Sequence, residues 1–467
     1  MTMSISRRNF IAAGTGATLI GAAAIGAPAD AKAPVDPPRG TRVLMRGARV
    51  LTQDPAIGDF PVGDVLIEGE RIAAVGASLE AGEGTTVVDA RGMIVIPGFV
   101  DTHRHLWQGV LRHALPDGTL EQYFQRIIGE VRPRLEPEDV YIGNLLSALG
   151  ALHAGVTTVL DWSHAGNSPA HSDAALEGLR ESGIRAIYAF GTGHRGPAHA
   201  WPKDLLRLRR EQIPADDGLV TLALAAGLDP ADWALAREAA VPITSHVNGT
   251  GTLLPLAEHM GPDNTYIHCC RLTPEEWRLI ADTGGGVSIA GPVEMQMGHG
   301  VPPFQAALDH RVPLGLGNDV ETSVSGEFFG QMRMALALQR MLLHERARRG
   351  ERDLPPLMTV REVLSIATLG GARVNHLAGR TGSLTPGKQA DLVVLDPGTI
   401  NVLPLNDPRG AVVQSMDTAN VRHVFVAGRA RKWNGRLVKV DEARLRRLAE
   451  SSRDRLLAAR EAGTPAT

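Results

Sequence analysis

The sequence predicts an α/β protein that consists of a (β/α)8 barrel, the TIM-barrel fold, and a small β-sandwich built from both ends of the chain. Between residues 98 and 375, eight short apolar runs alternate with helical segments, which is the pattern of a parallel α/β fold. Short strand-like runs separated by Gly and Asp flank this region on both sides and indicate a second domain. Eight parallel strands close into a barrel whose chemistry lies at the carboxyl ends of the strands.

The composition is that of an ordinary globular protein. The 467 residues are 43% hydrophobic and 21% charged, which leaves room for one large domain and a smaller one. The net charge of −3 comes from acidic and basic residues mixed throughout, so there is no basic surface of the kind that nucleic acids need. The two cysteines, Cys269 and Cys270, are adjacent, and their Cα atoms are too close for a normal disulfide.

The first 33 residues have the features of a twin-arginine export signal. Arg7 and Arg8 precede an apolar run rich in Gly and Ala over residues 11–27, and residues 29–31 offer small side chains for cleavage. The run is short and weakly apolar for crossing a bilayer, so no stable membrane span is expected after cleavage. We therefore predict export through the twin-arginine machinery to the periplasm or the cell exterior.

The β-sandwich is predicted from two separate stretches of the chain. Its first part covers residues 41–97 and its second part covers residues 380–435, in which Val412 and Val413 are taken as part of a strand. Residues 441–462 are rich in Leu, Ala and Arg at helical spacing, which predicts a C-terminal helix with a solvated charged face.

The barrel is predicted over residues 98–375. Its first strand is the apolar run that begins at Ile94 and leads to His103 and His105. The seven further runs are residues 155–161, 185–190, 219–224, 242–246, 265–268, 286–290 and 313–319.

The end of the first strand carries a pair of metal-ligand residues. His103 and His105 are two residues apart, so on a strand both imidazoles point to the same face. The strand before them is too apolar to have a hydrated face, and the two buried histidines therefore need partners. A divalent metal ion is the usual partner for such a pair.

Further polar residues stand at the ends of later strands. His246 ends the fifth strand, His268 ends the sixth and Asp319 ends the eighth. Each residue alone is better explained by a structural role, such as a core histidine bonded to a carbonyl or an aspartate that caps a helix. Together with His103 and His105 they lie on one rim of the barrel, which indicates a functional site.

With these motifs in view, the chain after the export signal resembles the amidohydrolase superfamily, in particular the branch with one metal ion that includes cytosine and guanine deaminases and triazine hydrolases. The resemblance covers nearly all of this part of the chain. The segments that carry it are residues 97–105, 245–246, 267–269, 316–319 and 382–394.

The resemblance implies a role for each residue of the rim. His103, His105, His246 and Asp319 would bind the metal ion, while His268 would hydrogen-bond the attacking water or the substrate. Three neutral imidazoles and a carboxylate suit Zn²⁺, the favoured ion, or Fe²⁺. Asp319 would also act as the catalytic base that takes a proton from water and passes it to the leaving nitrogen.

Two departures from the family pattern refine this interpretation. Binuclear relatives bridge their metals with a lysine of the fourth strand, but residues 219–224 contain none and Lys203 lies in a loop, so one metal ion is predicted. In the deaminases and triazine hydrolases a glutamate three residues after the fifth-strand histidine protonates the substrate ring, whereas Gly249 occupies that position here. Glu294 and Glu321 are the candidates for a substitute acid.

The favoured function is hydrolysis of a non-peptide C–N bond in an amide, urea or carbamate, because that reaction does not require a protonated ring. Deamination of a heterocycle is the alternative, and a barrel that binds metal without turnover is the second alternative. Four residues in loops above the rim are expected to contact a small organic substrate: Trp107, Gln108, Glu294 and His299. The sequence leaves open which substrate is bound and whether the chain forms a homo-oligomer.

Replacing Arg7 and Arg8 by lysine is expected to keep the folded protein in the cytoplasm, because the transporter recognises the twin arginine itself. Immunoblots of periplasmic and cytoplasmic fractions measure the outcome, and Lys32→Arg in the same segment serves as the control that keeps export intact. An unchanged periplasmic amount in the double variant would contradict the predicted export route.

Overall fold

Two β-sheets contain every strand in the part of the chain that the structure describes. The structure is a computed structural model, and it describes residues 36–38, 40–196 and 201–461. The predicted export signal over residues 1–33 lies outside these ranges. Within them, no helix combines the length and the apolarity that crossing a bilayer requires.

The N-terminal part of the described chain forms half of the smaller sheet. The first strand pairs with the second, fourth and fifth strands, and the second pairs with the third. The five strands are β1 (Arg42–Val50), β2 (Phe60–Glu68), β3 (Arg71–Gly76), β4 (Thr86–Asp89) and β5 (Ile94–Pro97).

The apolar run that begins at Ile94 is divided between the two sheets. Its first four residues form β5 in the smaller sheet, and the chain then enters the barrel at Gly98. A Cβ atom at Gly98 would lie 2.0 Å from Oγ1 of Thr157, so only glycine allows the chain to cross at this point. The prediction of one continuous strand was therefore wrong at this residue.

The larger sheet is a barrel of eight parallel strands in sequential order, and it confirms the predicted fold class. The barrel strands are β6 (Phe99–Arg104), β7 (Val156–Gly166), β8 (Arg185–Thr192), β9 (Val220–Ala225), β10 (Ile243–Val247), β11 (Asn264–His268), β12 (Gly286–Ile289) and β13 (Leu314–Leu316). Backbone hydrogen bonds close the ring between its first and last strands, since the amide of Asp319 donates to the carbonyl of His103 over 2.8 Å.

The C-terminal strands return to the smaller sheet. β14 (Leu392–Leu395) pairs with β5, and β15 (Val421–Val426), β16 (Arg429–Trp433) and β17 (Arg436–Leu437) extend the sheet outward. This confirms that both ends of the chain build the second sheet.

One predicted strand is wrong, because Val412 and Val413 lie in a π-helical segment, Ala411–Ser415. The side chain of Asp407 caps a helical turn just before it by accepting a hydrogen bond from the amide of Gly410. The valines are buried in the main core, so their burial comes from a helix rather than from a sheet.

Helices surround the barrel and connect its strands. The helices are α1 (Leu120–Tyr123), α2 (Pro137–His153), α3 (Pro169–Ser182), α4 (Asp204–Arg207), α5 (Pro230–Glu238), α6 (Pro274–Thr283), α7 (Gly291–Met297), α8 (Phe304–Asp309), α9 (Phe329–Arg348), α10 (Val360–Ser365), α11 (Gly371–Val374), α12 (Pro408–Gly410) and α13 (Glu442–Glu461). The last helix packs on α2, where the hydroxyl of Ser452 donates to Asp139 over 2.6 Å.

A buried ion pair joins the smaller sheet to the barrel. The Nε atom of Arg185, at the start of β8, donates to Asp391 over 2.6 Å, and both side chains are almost fully buried. Asp391 also accepts the backbone amide of Ala427, which lies directly after β15. One carboxylate thus fixes the position of the smaller sheet against the amino-terminal end of a barrel strand.

Candidate metal centre

The carboxyl ends of four barrel strands bring five polar side chains together. The Nε2 atoms of His103 and His246 are 3.2 Å apart. Oδ1 of Asp319 lies 3.2 Å from Nε2 of His103 and 3.2 Å from Nε2 of His105. Nε2 of His268 lies 3.8 Å from Oδ2 of Asp319. The rim predicted from the sequence is therefore one compact cluster.

Two of these residues have an unusual backbone conformation. His268 has a φ of 71° and Asp319 a φ of 66°, which is the left-handed region that side chains other than glycine rarely adopt. Such conformations cost free energy and are found mainly where a site requires them. In this chain both residues belong to the cluster, where Nε2 of His268 lies 3.8 Å from Oδ2 of Asp319.

The charges of the cluster fit a divalent cation. Burial lowers the pKa of His103 to about 3 and lowers the pKa of His246 well below its ordinary value, so both imidazoles are neutral near pH 7. Burial alone would raise the pKa of Asp319, but its contacts with His103 and His105 hold it well below its ordinary value. A carboxylate and several neutral imidazole nitrogens that converge within van der Waals distance suit a bound cation.

Contacts behind the cluster fix two of the imidazole rings. Nδ1 of His105 lies 2.7 Å from the carbonyl oxygen of Trp162, which can only accept, so Nδ1 carries the proton and Nε2 keeps its lone pair. Nδ1 of His268 lies 3.1 Å from Oε1 of Glu294. Burial would lower the pKa of His268, but the carboxylates of Glu294 and Asp319 raise it above its ordinary value.

Glu294 was a candidate for a substitute acid and for a substrate contact. Its side chain is fully buried and lies behind His268, where Oε1 also accepts the backbone amide of Ala290 over 2.7 Å. Its Oε1 atom therefore faces His268. Its Oε2 atom is also buried and has no hydrogen-bond partner among the described residues.

The hypothesis that Glu321 supplies the missing acid was wrong. Its buried carboxylate accepts hydrogen bonds from Arg104, over 2.9 Å, and from Arg112 and Ser147. Burial alone would raise the pKa of Glu321, but the two guanidinium groups hold it below its ordinary value. An ionised carboxylate with these partners stabilises the structure and is not free to give a proton to a substrate.

His299 and Asn248 lie on the other side of His268. The ring centroids of His299 and His268 are 4.2 Å apart, and Nδ1 of His299 lies 3.1 Å from Oδ1 of Asn248. Burial lowers the pKa of His299 to about 4, which makes the ring neutral near pH 7. Asn248 directly precedes Gly249, so His299 stands beside the position at which the family carries a glutamate.

Three residues of the site were missed by the sequence analysis: Tyr123, Trp162 and His164. Strand β7 continues past residue 161, where the prediction ended it, and brings His164 against His105 with ring centroids 4.1 Å apart. The indole of Trp107 donates to Nδ1 of His164 over 3.0 Å. Trp162 and His164 are two residues apart and so share one face of the strand, and this spacing is the pattern in the sequence that could have revealed these two residues.

Tyr123 completes this network. Nε2 of Gln108 donates to the Tyr123 hydroxyl oxygen over 2.6 Å, and Nε2 of His164 lies 3.3 Å from the same oxygen. Because an indole can only donate, Nδ1 of His164 is the acceptor and the neutral ring carries its proton on Nε2. Trp107 and Gln108, which were predicted to contact substrate, thus also hold Tyr123 and His164 in place.

The chain is similar to one protein family over most of its length. The model of the amidohydrolase family matches residues 94–431. A 5'-deoxyadenosine deaminase of Methanosarcina mazei is 27% identical over 443 residues, which cover 89% of this chain and 98% of the relative.

Two solved structures share the fold. An adenosine deaminase from Xanthomonas campestris with bound zinc has a TM-score of 0.78 and 23% identity, over 89% of this chain and 98% of that one. An atrazine chlorohydrolase from Arthrobacter aurescens in complex with zinc has a TM-score of 0.76 and 24% identity, over 88% of this chain and all of that one.

The protein purified without chelator is expected to contain about one equivalent of zinc or iron. Both groups of metal-compatible side chains in the described ranges belong to this cluster and share His103, which leaves room for one ion. Elemental analysis measures the content. His246→Ala is expected to lose most of the metal, whereas His259→Ala, which removes an exposed histidine, is expected to keep it. Two equivalents in the unmodified protein would contradict the prediction.

Proposed function

Because this chain belongs to the amidohydrolase family, we propose that it is a metal-dependent hydrolase that removes an exocyclic amino group, as ammonia, from a small planar heterocycle. The observation that carries hydrolysis is the anionic carboxylate of Asp319, whose Oδ1 atom lies 3.2 Å from Nε2 of His103 and 3.2 Å from Nε2 of His105 at the carboxyl ends of the strands. Deamination is supported by the name of the deaminase relative, which this chain matches over nearly its whole length. The comparisons thus favour deamination over the amide, urea or carbamate hydrolysis that the sequence analysis preferred.

We assign the cation to His103, His105, His246 and Asp319. When bound, such an ion supplies Lewis acidity that lowers the pKa of a water molecule toward about 7. The side chains named here hold the ion and keep its surroundings nearly free of bulk water, since the ligand atoms are buried. Zinc is the favoured ion, and iron remains an alternative.

Asp319 is proposed to move the proton. Its Oδ1 atom lies 3.2 Å from Nε2 of His103 and from Nε2 of His105. Its Oδ2 atom lies 3.8 Å from Nε2 of His268. Oδ2 can therefore accept a proton from the attacking water and deliver it to the leaving nitrogen. A carboxylate whose pKa is far below its ordinary value stays ionised until that proton arrives.

His268 is proposed to supply the proton that, in the family pattern, comes from the glutamate at the position of Gly249. Addition of water to an aromatic ring is assisted when a ring nitrogen receives a proton or a strong hydrogen bond. Nδ1 of His268 lies within hydrogen-bond distance of the Glu294 carboxylate, which stabilises the charged imidazolium. Its Nε2 atom faces the cluster and is the donor available to a substrate nitrogen.

Hydrolysis of an amide, urea or carbamate is the second candidate, and Gly249 is the observation that favours it. Position 249 carries no carboxylate, and a Cβ atom there would lie 2.5 Å from Cγ2 of Thr252, so a larger residue would require the Thr252 side chain to shift. A carbonyl C–N bond needs only polarisation, a nucleophile and a proton for the leaving amine. A barrel without turnover is disfavoured because the complete set of proposed ligands and the proton carrier are both in place.

We propose as well that the protein works outside the cytoplasm. This proposal rests on Arg7, Arg8 and the apolar run that follows them in the sequence. The twin-arginine machinery carries folded proteins, which suits an enzyme that binds its metal ion before export.

A product assay separates the two candidates. Zinc-loaded protein is incubated with aminated purines and triazines in one arm and with amides, ureas and carbamates in the other. We expect ammonia release from an aminated heterocycle and no turnover of the carbonyl compounds, and Asp319→Asn serves as the inactive control for contaminating enzymes. Amine release from a carbonyl compound without any ring deamination would replace the first candidate by the second.

Asp319→Asn is expected to keep much of the metal, because three histidines remain, but to lose at least about 10²–10⁴-fold in kcat. Asparagine keeps the shape and one oxygen of aspartate but cannot carry a proton between water and the leaving group. Metal content and kinetics are measured on the same preparation, and Asp229→Asn, at an exposed helix cap, is the matched control. A variant that keeps both its metal and most of its kcat would remove Asp319 from the proposed mechanism.

A further inference from the structure

His299 is a buried histidine that packs on the candidate metal centre and has one ring nitrogen without a partner. Only 6% of the residue is exposed, and its ring centroid lies 4.2 Å from the ring centroid of His268. Its Nε2 atom is buried and makes no hydrogen bond with any described residue. Because a buried polar atom without a partner costs free energy, such an atom beside a reactive cluster points to a bound molecule that completes it.

The tautomer of His299 makes this nitrogen an acceptor. Nδ1 lies 3.1 Å from Oδ1 of Asn248, an amide oxygen that can only accept, so Nδ1 carries the proton. Burial lowers the pKa of His299 to about 4, and the ring is therefore neutral near pH 7. In a neutral imidazole whose Nδ1 atom is protonated, Nε2 keeps its lone pair. The two nitrogens of the ring point in different directions, so Nε2 is turned away from Asn248.

The backbone around His299 fixes the position of this acceptor. The amide of His299 donates to the carbonyl oxygen of Glu294 over 2.9 Å, and Nε of Arg271 donates to the carbonyl oxygen of His299 over 2.9 Å. The side chain of Glu294 lies 3.1 Å from Nδ1 of His268. Glu294 thus contacts both residues, through its backbone and through its carboxylate. The position of the His299 ring relative to His268 is therefore set by hydrogen bonds within the fold.

A buried histidine away from the centre has both ring nitrogens paired. Nδ1 of His171 lies 2.8 Å from the hydroxyl oxygen of Ser168, and Nε2 of His171 lies 2.8 Å from the carbonyl oxygen of Leu135. Apart from Nε2 of His299, the one buried histidine nitrogen without a partner in the described ranges is Nδ1 of His103, a proposed metal ligand. Both unpartnered histidine nitrogens thus belong to residues of the candidate metal centre.

The neighbourhood of His299 includes the position at which the family carries a glutamate. Asn248, the partner of His299, directly precedes Gly249. A glutamate at position 249 would present a carboxyl group that can give a proton to a substrate. Nε2 of His299 is instead a neutral acceptor, so the part of a substrate that reaches it has to supply the hydrogen.

We propose that Nε2 of His299 accepts a hydrogen bond from an N–H group of the substrate, beside the ring nitrogen to which His268 donates. The assignment rests on the proposed function, since it describes the substrate of that same site. It adds that the heterocycle carries a second N–H group, an amino substituent next to that ring nitrogen, in addition to the leaving amino group. His299 then selects the substrate and takes no part in proton transfer.

Calorimetric titration of the full-length, zinc-loaded protein tests this inference without requiring turnover. The probes are 2-amino-4-pyrimidinone and 2-dimethylamino-4-pyrimidinone, two product-like heterocycles of which only the first has N–H donors on the substituent. We expect the amino compound to bind at least about tenfold more tightly, and His299→Phe to abolish this preference by weakening the binding of the amino compound alone. His299→Gln, whose amide oxygen can accept in place of Nε2, is expected to keep most of the preference.

His344→Phe is the matched control, because it makes the same substitution at an exposed histidine of α9. Equal zinc content and melting temperature show that a variant is folded, and His299→Leu is used if the phenylalanine variant does not fold. A preference for the amino compound that persists without His299, or no binding of either compound to the unmodified protein at millimolar concentration, would overturn the inference. A preference that depends on His299 but occurs without ammonia release in the product assay would contradict the proposed reaction and leave this inference standing.

Discussion

The geometry of the candidate metal centre depends on one buried cation, the guanidinium of Arg104. It lies between His103 and His105 in the sequence and joins Asp101, on the first barrel strand, to Glu321, two residues after Asp319. Asp101 in turn accepts the backbone amides of His103 and Asn318. The ends of the first and last strands are thereby fixed to each other by charge. Removing one partner from such a buried group leaves an uncompensated ion, which costs roughly 3–5 kcal/mol.

This arrangement separates the charges that fix the strand ends from the charges of the cluster. Arg104 and Glu321 neutralise each other behind the strands, so neither charge is available above the rim. Asp319 is the carboxylate that remains among the imidazoles. The negative charges of Asp319 and Glu294 both raise the pKa of His268. The low dielectric constant of the buried site strengthens these two electrostatic interactions. The cluster therefore holds an anionic carboxylate beside a histidine whose pKa is raised.

The sequence was sufficient for the barrel and for the five polar residues of the rim, because strand periodicity and the carboxyl ends of parallel strands place these residues without any tertiary knowledge. It was not sufficient for Tyr123 or for the pairing of Glu321, since each depends on side chains distant in the chain: His164 for Tyr123, and Arg104 and Arg112 for Glu321. Val412 was misplaced for a related reason. A short apolar run has the same composition in a buried strand as in a buried helical turn.

One departure from the family pattern changes the charge beside the cluster. At Gly249, after β10, the glutamate of relatives is absent, and the neutral His299 and Asn248 stand beside that position. A negative charge of the family pattern is therefore missing beside the cluster, and a substrate group at this position would meet neutral side chains instead of a carboxylate. Recognition at this position then depends on neutral hydrogen bonds and not on an ion pair.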